Sequence, residues 1–312
     1  MSWNLQQTIN WTKTFIQYSP LQAGLGQEPA VSIASMIRNS LLNPPMTWQF
    51  NRNEQTFATV VGTQDYTEAF SDLAFVEKVS LTDDQGNIWE IKDVYNNSAL
   101  SPSAEQARPN AMSVESSSII SSALNYKLRF MPVPDKVYTV TVVYQKLAPA
   151  FGPFLITSAA AKSAGNTAYT GTFDPISFPA GSIAQVTGFV ASPSNNGSFV
   201  VVSCTLTTLT VTQPGAGGAE TISAYASNFS WDPIPDQYMD VFNNLFLSEA
   251  LAMVDDARAV QYRQRGVAAL LAKASGLTEM QKNAFMQQWL ARDVQRQSVA
   301  GTGQLGHASK GI

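Results

Sequence analysis

Apolar positions recur at helical spacing near both ends of the chain and at strand spacing in between. Ile33, Met36, Ile37 and Leu41 fall at i, i+3, i+4 and i+8, one face of a helix. Pro29 suits its first turn and Pro44-Pro45 stops it. Residues 1–28, polar and aromatic with Ser19-Pro20, Gly24 and Gly26, read as an extended arm or loop. Strands are expected over 56–61, 73–81 and 88–94, the last two joined by the turn cluster Asp83-Asp84-Gln85-Gly86-Asn87. Residues 96–122 read mostly as loop. Strands follow at 127–131 and 138–145. In the latter, Tyr138, Val140, Val142 and Tyr144 share one face, and Thr139, Thr141 and Gln145 the other.

Short β runs at 183–190, 199–204 and 209–212, separated by turn clusters, predict a small β-sandwich or barrel, the sandwich being the expected form, inserted at about 150–227. Beyond Trp231-Asp232-Pro233-Ile234-Pro235 the period becomes helical. Over 236–254, Val241, Phe242, Leu245, Phe246, Leu251 and Met253 leave almost no polar side, the pattern of a helix clamped between neighbours. A second helical stretch, 267–274, ends at Gly276. Thr278-Glu279-Met280-Gln281 has capping-box spacing for a third, which carries Phe285, Met286, Trp289 and Leu290. Residues 297–312 are Gly/Ser-rich without apolar period and read as a flexible tail.

Composition narrows the chemistry. Of 312 residues only 13% are charged, with net charge −4, and residues 148–228 hold three charges, Lys162, Asp174 and Glu220. One cysteine, Cys204, excludes an internal disulfide, and one histidine, His307, leaves too few ligands for a Cys/His zinc site. His307 lies in the Gly/Ser tail, a poor place for a held general base. No apolar run approaches the roughly 20 residues that span a membrane. The N-terminus has no signal-peptide pattern, so synthesis in a cytoplasm is expected. Mild acidity argues against bulk nucleic-acid binding. No cofactor is implied.

Each candidate constellation has a structural reading. Asp255-Asp256 point about 100° apart on a helix and do not converge; pairing with Arg258 or Arg263 is expected. Asp83-Asp84 sit in a turn that favours aspartate. Gly215-Ala216-Gly217-Gly218 lacks the helix and lysine of a phosphate loop, and Asn196-Gly197-Ser198 reads as a turn. Arg258, Arg263 and Arg265 read as a salt-bridged helix face. Trp3, Trp11 and Phe15 read as arm anchors.

Two stretches together resemble the head-to-tail adaptor (connector) proteins of tailed bacteriophages. One is Gly62-Thr63-Gln64-Asp65-Tyr66, then 73–81 and Gly86-Asn87-Ile88-Trp89-Glu90-Ile91. The other is Trp231-Asp232-Pro233-Ile234-Pro235-Asp236-Gln237-Tyr238, then Phe246-Leu247-Ser248-Glu249-Ala250-Leu251, Asp255-Asp256-Ala257-Arg258 and Gly276-Leu277-Thr278-Glu279. Val186-Thr187-Gly188-Phe189, Asn195-Asn196-Gly197-Ser198-Phe199, Val201-Val202-Ser203 and Thr208-Leu209-Thr210-Val211 are similar to small immunoglobulin-like modules of phage virion proteins. The family joins its last strand to the Trp-x-Pro-Ile-Pro segment by a short loop; here about a domain intervenes.

The resemblance implies a structural protein, not an enzyme. Twelve copies usually form a ring beneath the portal, which extends the DNA channel without gripping DNA and docks the next tail or neck component. It places the protein in the virion neck, and in the host cytoplasm during assembly. The expected architecture is α+β and multidomain: an arm at 1–28, a core at 29–149 plus 228–296 with a helical bundle from both chain halves and a β-region, the sandwich at 150–227, and a tail at 297–312. The expected ring interface is Val241, Phe242, Leu245, Phe246, Leu251, Met253, Asp255, Asp256 and Arg258. The tail residues Gln297, Leu305, His307, Lys310 and Ile312 are expected to reach the portal. The alternatives are another tail, baseplate or fibre-attachment part and, in a different class, a glycan-binding or tailspike-like hydrolase.

Overall fold

A computed structural model describes residues 3–16, 29–70, 72–96, 100–115, 119–120, 123–160, 165–213 and 218–290. The described chain forms two compact units. One takes Leu42–Pro149 with Asp174–Ile176; the other takes the described parts of Met1–Leu41, Ala150–Phe173 and Ser177–Ile312. The arm contains a helix that the sequence reading missed, α1 (Leu5–Lys13), closed by a reciprocal capping box. The Asn4 side chain accepts from the Gln7 N–H, and the Gln7 side chain accepts from the Asn4 N–H, both at 3.0 Å. Its buried face, Leu5, Thr8, Ile9 and Thr12, holds only two large apolar residues, so hydrophobic period alone does not reveal it. The next helix, α2 (Ala30–Leu42), ends ahead of Pro44 as expected and buries Ile33, Ile37 and Leu41.

In the unit of residues 42–149 the strands are β1 (Arg52–Ala58), β2 (Asp65–Ala69), β3 (Leu73–Thr82), β4 (Ile88–Glu90), β5 (Asp93–Asn96), β6 (Ala111–Glu115), β7 (Ile119–Ile120), β8 (Ala123–Met131) and β9 (Thr139–Lys146). One sheet has the order β1-β9-β3-β4 and the other β2-β8-β6-β5, with β7 on β8. Tyr66, Val79, Leu81, Met112, Phe130, Val140 and Val142 belong to one buried cluster shared by the two sheets. The predicted face of β9 holds: Tyr138, Val140, Val142 and Tyr144 are all buried. The expected return strand 88–94 is instead two strands. Ile91 N–H still reaches the Val79 carbonyl at 2.9 Å, but β5 then joins the other sheet, parallel to β6. Within the expected loop 96–122, β6 lies between β5 and β8 with Ala111 to Val114 all buried. Burial on both faces erases the alternation that marks a half-exposed strand.

The inserted segment is a closed barrel, not a sandwich. Its strands are β10 (Phe154–Ala159), β11 (Asn166–Gly171), β12 (Ile183–Thr187), β13 (Gly197–Cys204), β14 (Thr208–Thr212) and β15 (Glu220–Asn228), in the order β10-β11-β14-β13-β12-β15. Pairing of β15 with both β10 and β12 closes the sheet, so no strand edge remains open. Three strands were legible from their Val and Leu. The other three, rich in Thr, Ala and Ser, bury small residues such as Ala159, Ala224 and Ala226 beside single large ones, Ile156 and Tyr169. Gly171 sits where an added Cβ would lie 2.1 Å from the Leu155 carbonyl oxygen, so only glycine fits that strand crossing.

The remaining helices are α3 (Met239–Ala252), α4 (Arg258–Lys273) and α5 over 279–290. The predicted capping box of α5 is present: Gln281 N–H donates to Thr278 Oγ1 at 3.3 Å, and Thr278 N–H to Gln281 Oε1 at 2.9 Å. The expectation of a helical bundle from both chain halves fails. The framework is β-rich, with two sheets and a barrel, and the helices are short additions to it. Apolar period marks where helices form, whereas the strands lie in Ser-, Thr- and Asn-rich stretches whose pattern is weak. No described helix is long and apolar enough to cross a membrane.

Helices α3 and α4 meet at Gly266, where a Cβ would come within 2.8 Å of the buried Leu245 side chain. Gly266→Ala gains helix propensity of about 1 kcal/mol but forces that contact apart, at a cost of about 1–3 kcal/mol. The expected net result is destabilisation, read as a lower denaturant midpoint at unchanged slope.

Candidate functional site

The segment singled out for assembly, 236–254, is a 3-10 turn (Asp236–Tyr238) followed by α3. Val241, Phe242, Leu245, Phe246 and Leu251 are all buried within the single chain. The Trp231 ring lies 4.0 Å from the Phe242 ring, Gly266 of α4 seats Leu245, and Thr8 of α1 donates to the Asn243 side chain at 3.0 Å. Those five residues are therefore core and not a ring interface, because the chain itself supplies the neighbours that an all-round apolar helix needs. Of the large apolar side chains in this segment only Met253 and Val254, just past the end of α3, are exposed, at 51% and 42%.

At that end Asp255 turns the chain with φ +54°. Asp256 accepts from Arg258 through Nε at 3.0 Å and Nη2 at 2.7 Å, and from the Arg258 backbone N–H at 2.9 Å. These bonds hold its carboxyl below the usual range. Arg263 instead pairs with Glu249 at 3.0 Å, bracing α4 on α3. The corner is a helix start, and its two aspartates do not share a proton or an ion. Arg265 lies over the Tyr262 ring at 5.1 Å. Among the described residues no group of three or more His, Cys, Asp or Glu is arranged to hold a metal. Gln297, Leu305, His307, Lys310 and Ile312 lie outside the described residues.

The arm aromatics anchor locally. Trp3 Nε1 donates to Thr8 Oγ1 at 2.8 Å, and Phe15 lies between Trp11 at 4.7 Å and Tyr262 at 6.0 Å. Asn196, in the sequon-like turn, exchanges hydrogen bonds with Phe189 N–H at 2.9 Å and Phe189 carbonyl at 2.7 Å. Glu220, one of the three charges in the insert, accepts from Val190, Ala191 and Ser192 N–H groups at 3.1, 3.0 and 2.7 Å. Its carboxyl lies below the usual range: burial opposes ionisation, and the Ala191, Ser192 and Val190 N–H groups outweigh it.

One functional-looking residue was missed. Arg38, on α2, is fully buried, with its guanidinium 3.3 Å from the Phe151 ring centroid and its Nη2 donating to the Ser230 carbonyl. Burial lowers its pKa to about 9, with Asp232 opposing the shift. It stays charged at neutral pH. Phe151 also meets Trp231 at 5.0 Å, so the Trp231-Asp232-Pro233-Ile234-Pro235 segment is a packed joint. The available signal was a single charge, Arg38, in the helix that carries Ile33, Ile37 and Leu41.

Charges in the unit of residues 42–149 also work as braces. Asp65, Lys127, Glu115 and Arg129 form a cross-strand network over β2, β8 and β6 at 2.6–3.4 Å. Asp83 ties the β3–β4 turn: it accepts from Gln85 N–H at 3.0 Å, Asn87 N–H at 2.9 Å and Lys136 Nζ at 3.0 Å. No protein-family model and no curated protein matches this sequence.

Burial alone would raise the Asp83 carboxyl, but its bonds from Lys136, Asn87 and Gln85 outweigh that and hold it at about 2. An unfolded aspartate titrates near about 3.9. Below that value the unfolded chain takes the proton more readily than the folded one. The contribution of Asp83 is therefore full above about pH 4 and lost as pH falls toward 2. The thermal midpoint of this unit is expected to drop over that window, and Asp83→Asn to lower the neutral-pH midpoint while flattening the acid fall.

Proposed function

We propose that this chain is a structural virion protein, a head-to-tail adaptor that assembles as a ring beneath the portal, extends the DNA channel and docks the next tail or neck component. The reading rests on one observation: the order of its motifs. A β-region bearing Gly62-Thr63-Gln64-Asp65-Tyr66 precedes the joint at Trp231-Asp232-Pro233-Ile234-Pro235, which leads into α3, the Asp255-Asp256-Ala257-Arg258 corner and the capped α5. In the fold these residues are structural: Trp231 and Ile234 are buried, Asp256 opens α4 and Thr278 caps α5. A function carried by surfaces and not by a reaction centre is in keeping with that use of polar groups. Net charge −4 suits a channel through which DNA slides.

Burial of α3 changes what the ring is made from. The contacts between copies must come from surfaces other than Val241, Phe242, Leu245, Phe246 and Leu251. The barrel supports a second structural role, contact with another virion component. Val190, Val200 and Val202 are exposed on it at 75%, 49% and 42%.

The test is assembly. Purified protein mixed with the portal of the same virion should give rings on the portal in negative-stain images. A portal that binds other neck components but leaves this protein monomeric and unbound sinks the adaptor reading.

A further inference from the structure

Backbone hydrogen bonds of the β1-β9-β3-β4 sheet identify which of its groups face outward. Thr59 N–H donates to the Tyr138 carbonyl at 2.8 Å, so odd-numbered residues of β1 point at β9 and even-numbered ones at the open edge. Two of the outward donors are already used. Arg52 N–H reaches the Gln49 carbonyl, and Glu54 N–H reaches Asn53 Oδ1 at 3.0 Å. Thr56 and Ala58, both exposed, have outward backbone groups with no partner among the described residues. At the opposite edge, Asp83 N–H donates to the Asn87 carbonyl at 3.1 Å, and Ile91 N–H donates to the Val79 carbonyl at 2.9 Å, so odd residues of β4 face β3. Ile88 and Glu90 of β4 therefore turn their backbone groups outward, again with no partner among the described residues.

The two edges fit each other. Strands β1, β9, β3 and β4 alternate in direction, so β1 and β4 run oppositely. Copies related by rotation about an axis along the strands bring β4 of one antiparallel to β1 of the next. Setting Ile88 opposite Ala58 and Glu90 opposite Thr56 makes two narrow pairs, each exchanging two backbone hydrogen bonds. That register also sets Trp89 opposite Phe57. Both are half-buried aromatics on the core face, each left at the end of its sheet. Arg108, 4.8 Å over Trp89, would lie along this seam. Two residues further, Lys92 comes opposite Glu54. Both are exposed, and neither has an ion-pair partner among the described residues. The ladder of β1 on β9 is free of bulges, unlike that of β3 on β9, so seven regular residues are on offer.

We propose that successive copies join edge to edge, β4 of one to β1 of the next, in the register Ile88–Ala58, Glu90–Thr56 and Lys92–Glu54, so that one β-sheet continues from copy to copy. The occupant of each edge is a second copy of this chain. The contact is heterologous and closes as a ring or runs on as a filament. This rests on the ring reading above and names the surface that builds it.

Crosslinking and charge reversal test the seam on the full chain. In a Cys204→Ser background, Thr56→Cys with Glu90→Cys should give a ladder of disulfide-linked oligomers on oxidation. Glu54→Cys with Ile88→Cys, about 13 Å out of register at roughly 3.3 Å per residue, should give none. Glu54→Lys should weaken self-association about fivefold by sedimentation, and Lys92→Glu likewise, with the double reversal restoring it. Unchanged thermal midpoints show that these surface variants fold. Rings that form on the portal without the in-register crosslink and without charge rescue overturn the seam and leave the adaptor reading intact. In-register crosslinks in a protein that never binds portal uphold the seam and remove the adaptor reading. A wild-type chain that neither self-associates nor binds portal overturns both.

Discussion

A helix that is apolar nearly all round must be covered nearly all round, and this chain covers α3 from within. Trp231 closes on Phe242, α4 lies against Leu245 with a glycine at the crossing, and α1 reaches Asn243 through Thr8. Each large side chain taken fully out of water contributes about 1.5–3 kcal/mol. Covering Val241, Phe242, Leu245, Phe246 and Leu251 is therefore a major part of what holds these helices together. An apolar helix is evidence of neighbours but does not say whose they are. Here they come from residues 3–16, from the joint after the barrel and from α4, segments far apart in the chain.

Scarce charge has a related consequence. Arg38, Arg263 and Asp83 are each placed where a cation or anion braces backbone or aromatic groups, with partners supplied for each. Removing the partner of a fully buried charge such as Arg38 or Arg263 leaves it uncompensated, commonly a loss of about 3–5 kcal/mol. The same economy marks the insert, where Glu220 gathers three consecutive backbone N–H groups.

Legibility in the sequence followed exposure. Elements with one wet face, such as β9 and α2, declared themselves by period, as did the capping box of α5. Elements buried on both faces did not: β6 has Ala111, Met112, Ser113 and Val114 all inside, and its composition resembles that of a loop. The break between β4 and β5 hid in a continuous run of β-formers, because crossing from one sheet to the other needs only a bend at Lys92. The barrel was half visible, since the strands that carry Val and Leu stand out and those that bury alanine do not. Closure was invisible, because it depends on β15 pairing with both β10 and β12. Of the apolar residues expected to form an interface, Val241, Phe242, Leu245, Phe246 and Leu251 are covered within the chain, and Met253 is exposed. Of the corner aspartates Asp256 pairs with Arg258, whereas Arg263 pairs with Glu249 of α3.

The two β regions treat their edges in opposite ways. The barrel pairs every strand on both sides and leaves no backbone row open. The sheet β1-β9-β3-β4 ends at both sides, and its ends are not defended alike. At β1, Gln49 and Asn53 cap the first two outward N–H groups, while the outward backbone groups of Thr56 and Ala58 have no partner among the described residues. At β4, brevity is the main protection, yet Ile88 is 70% exposed. An open edge is a hazard for a protein meant to stay single, and natural sheets blunt theirs with lysine, proline or covering loops. One sheet with two open edges of opposite direction, each beside a half-buried aromatic, is what the proposed seam joins. With α3 covered from within, that proposal assigns assembly to the strands.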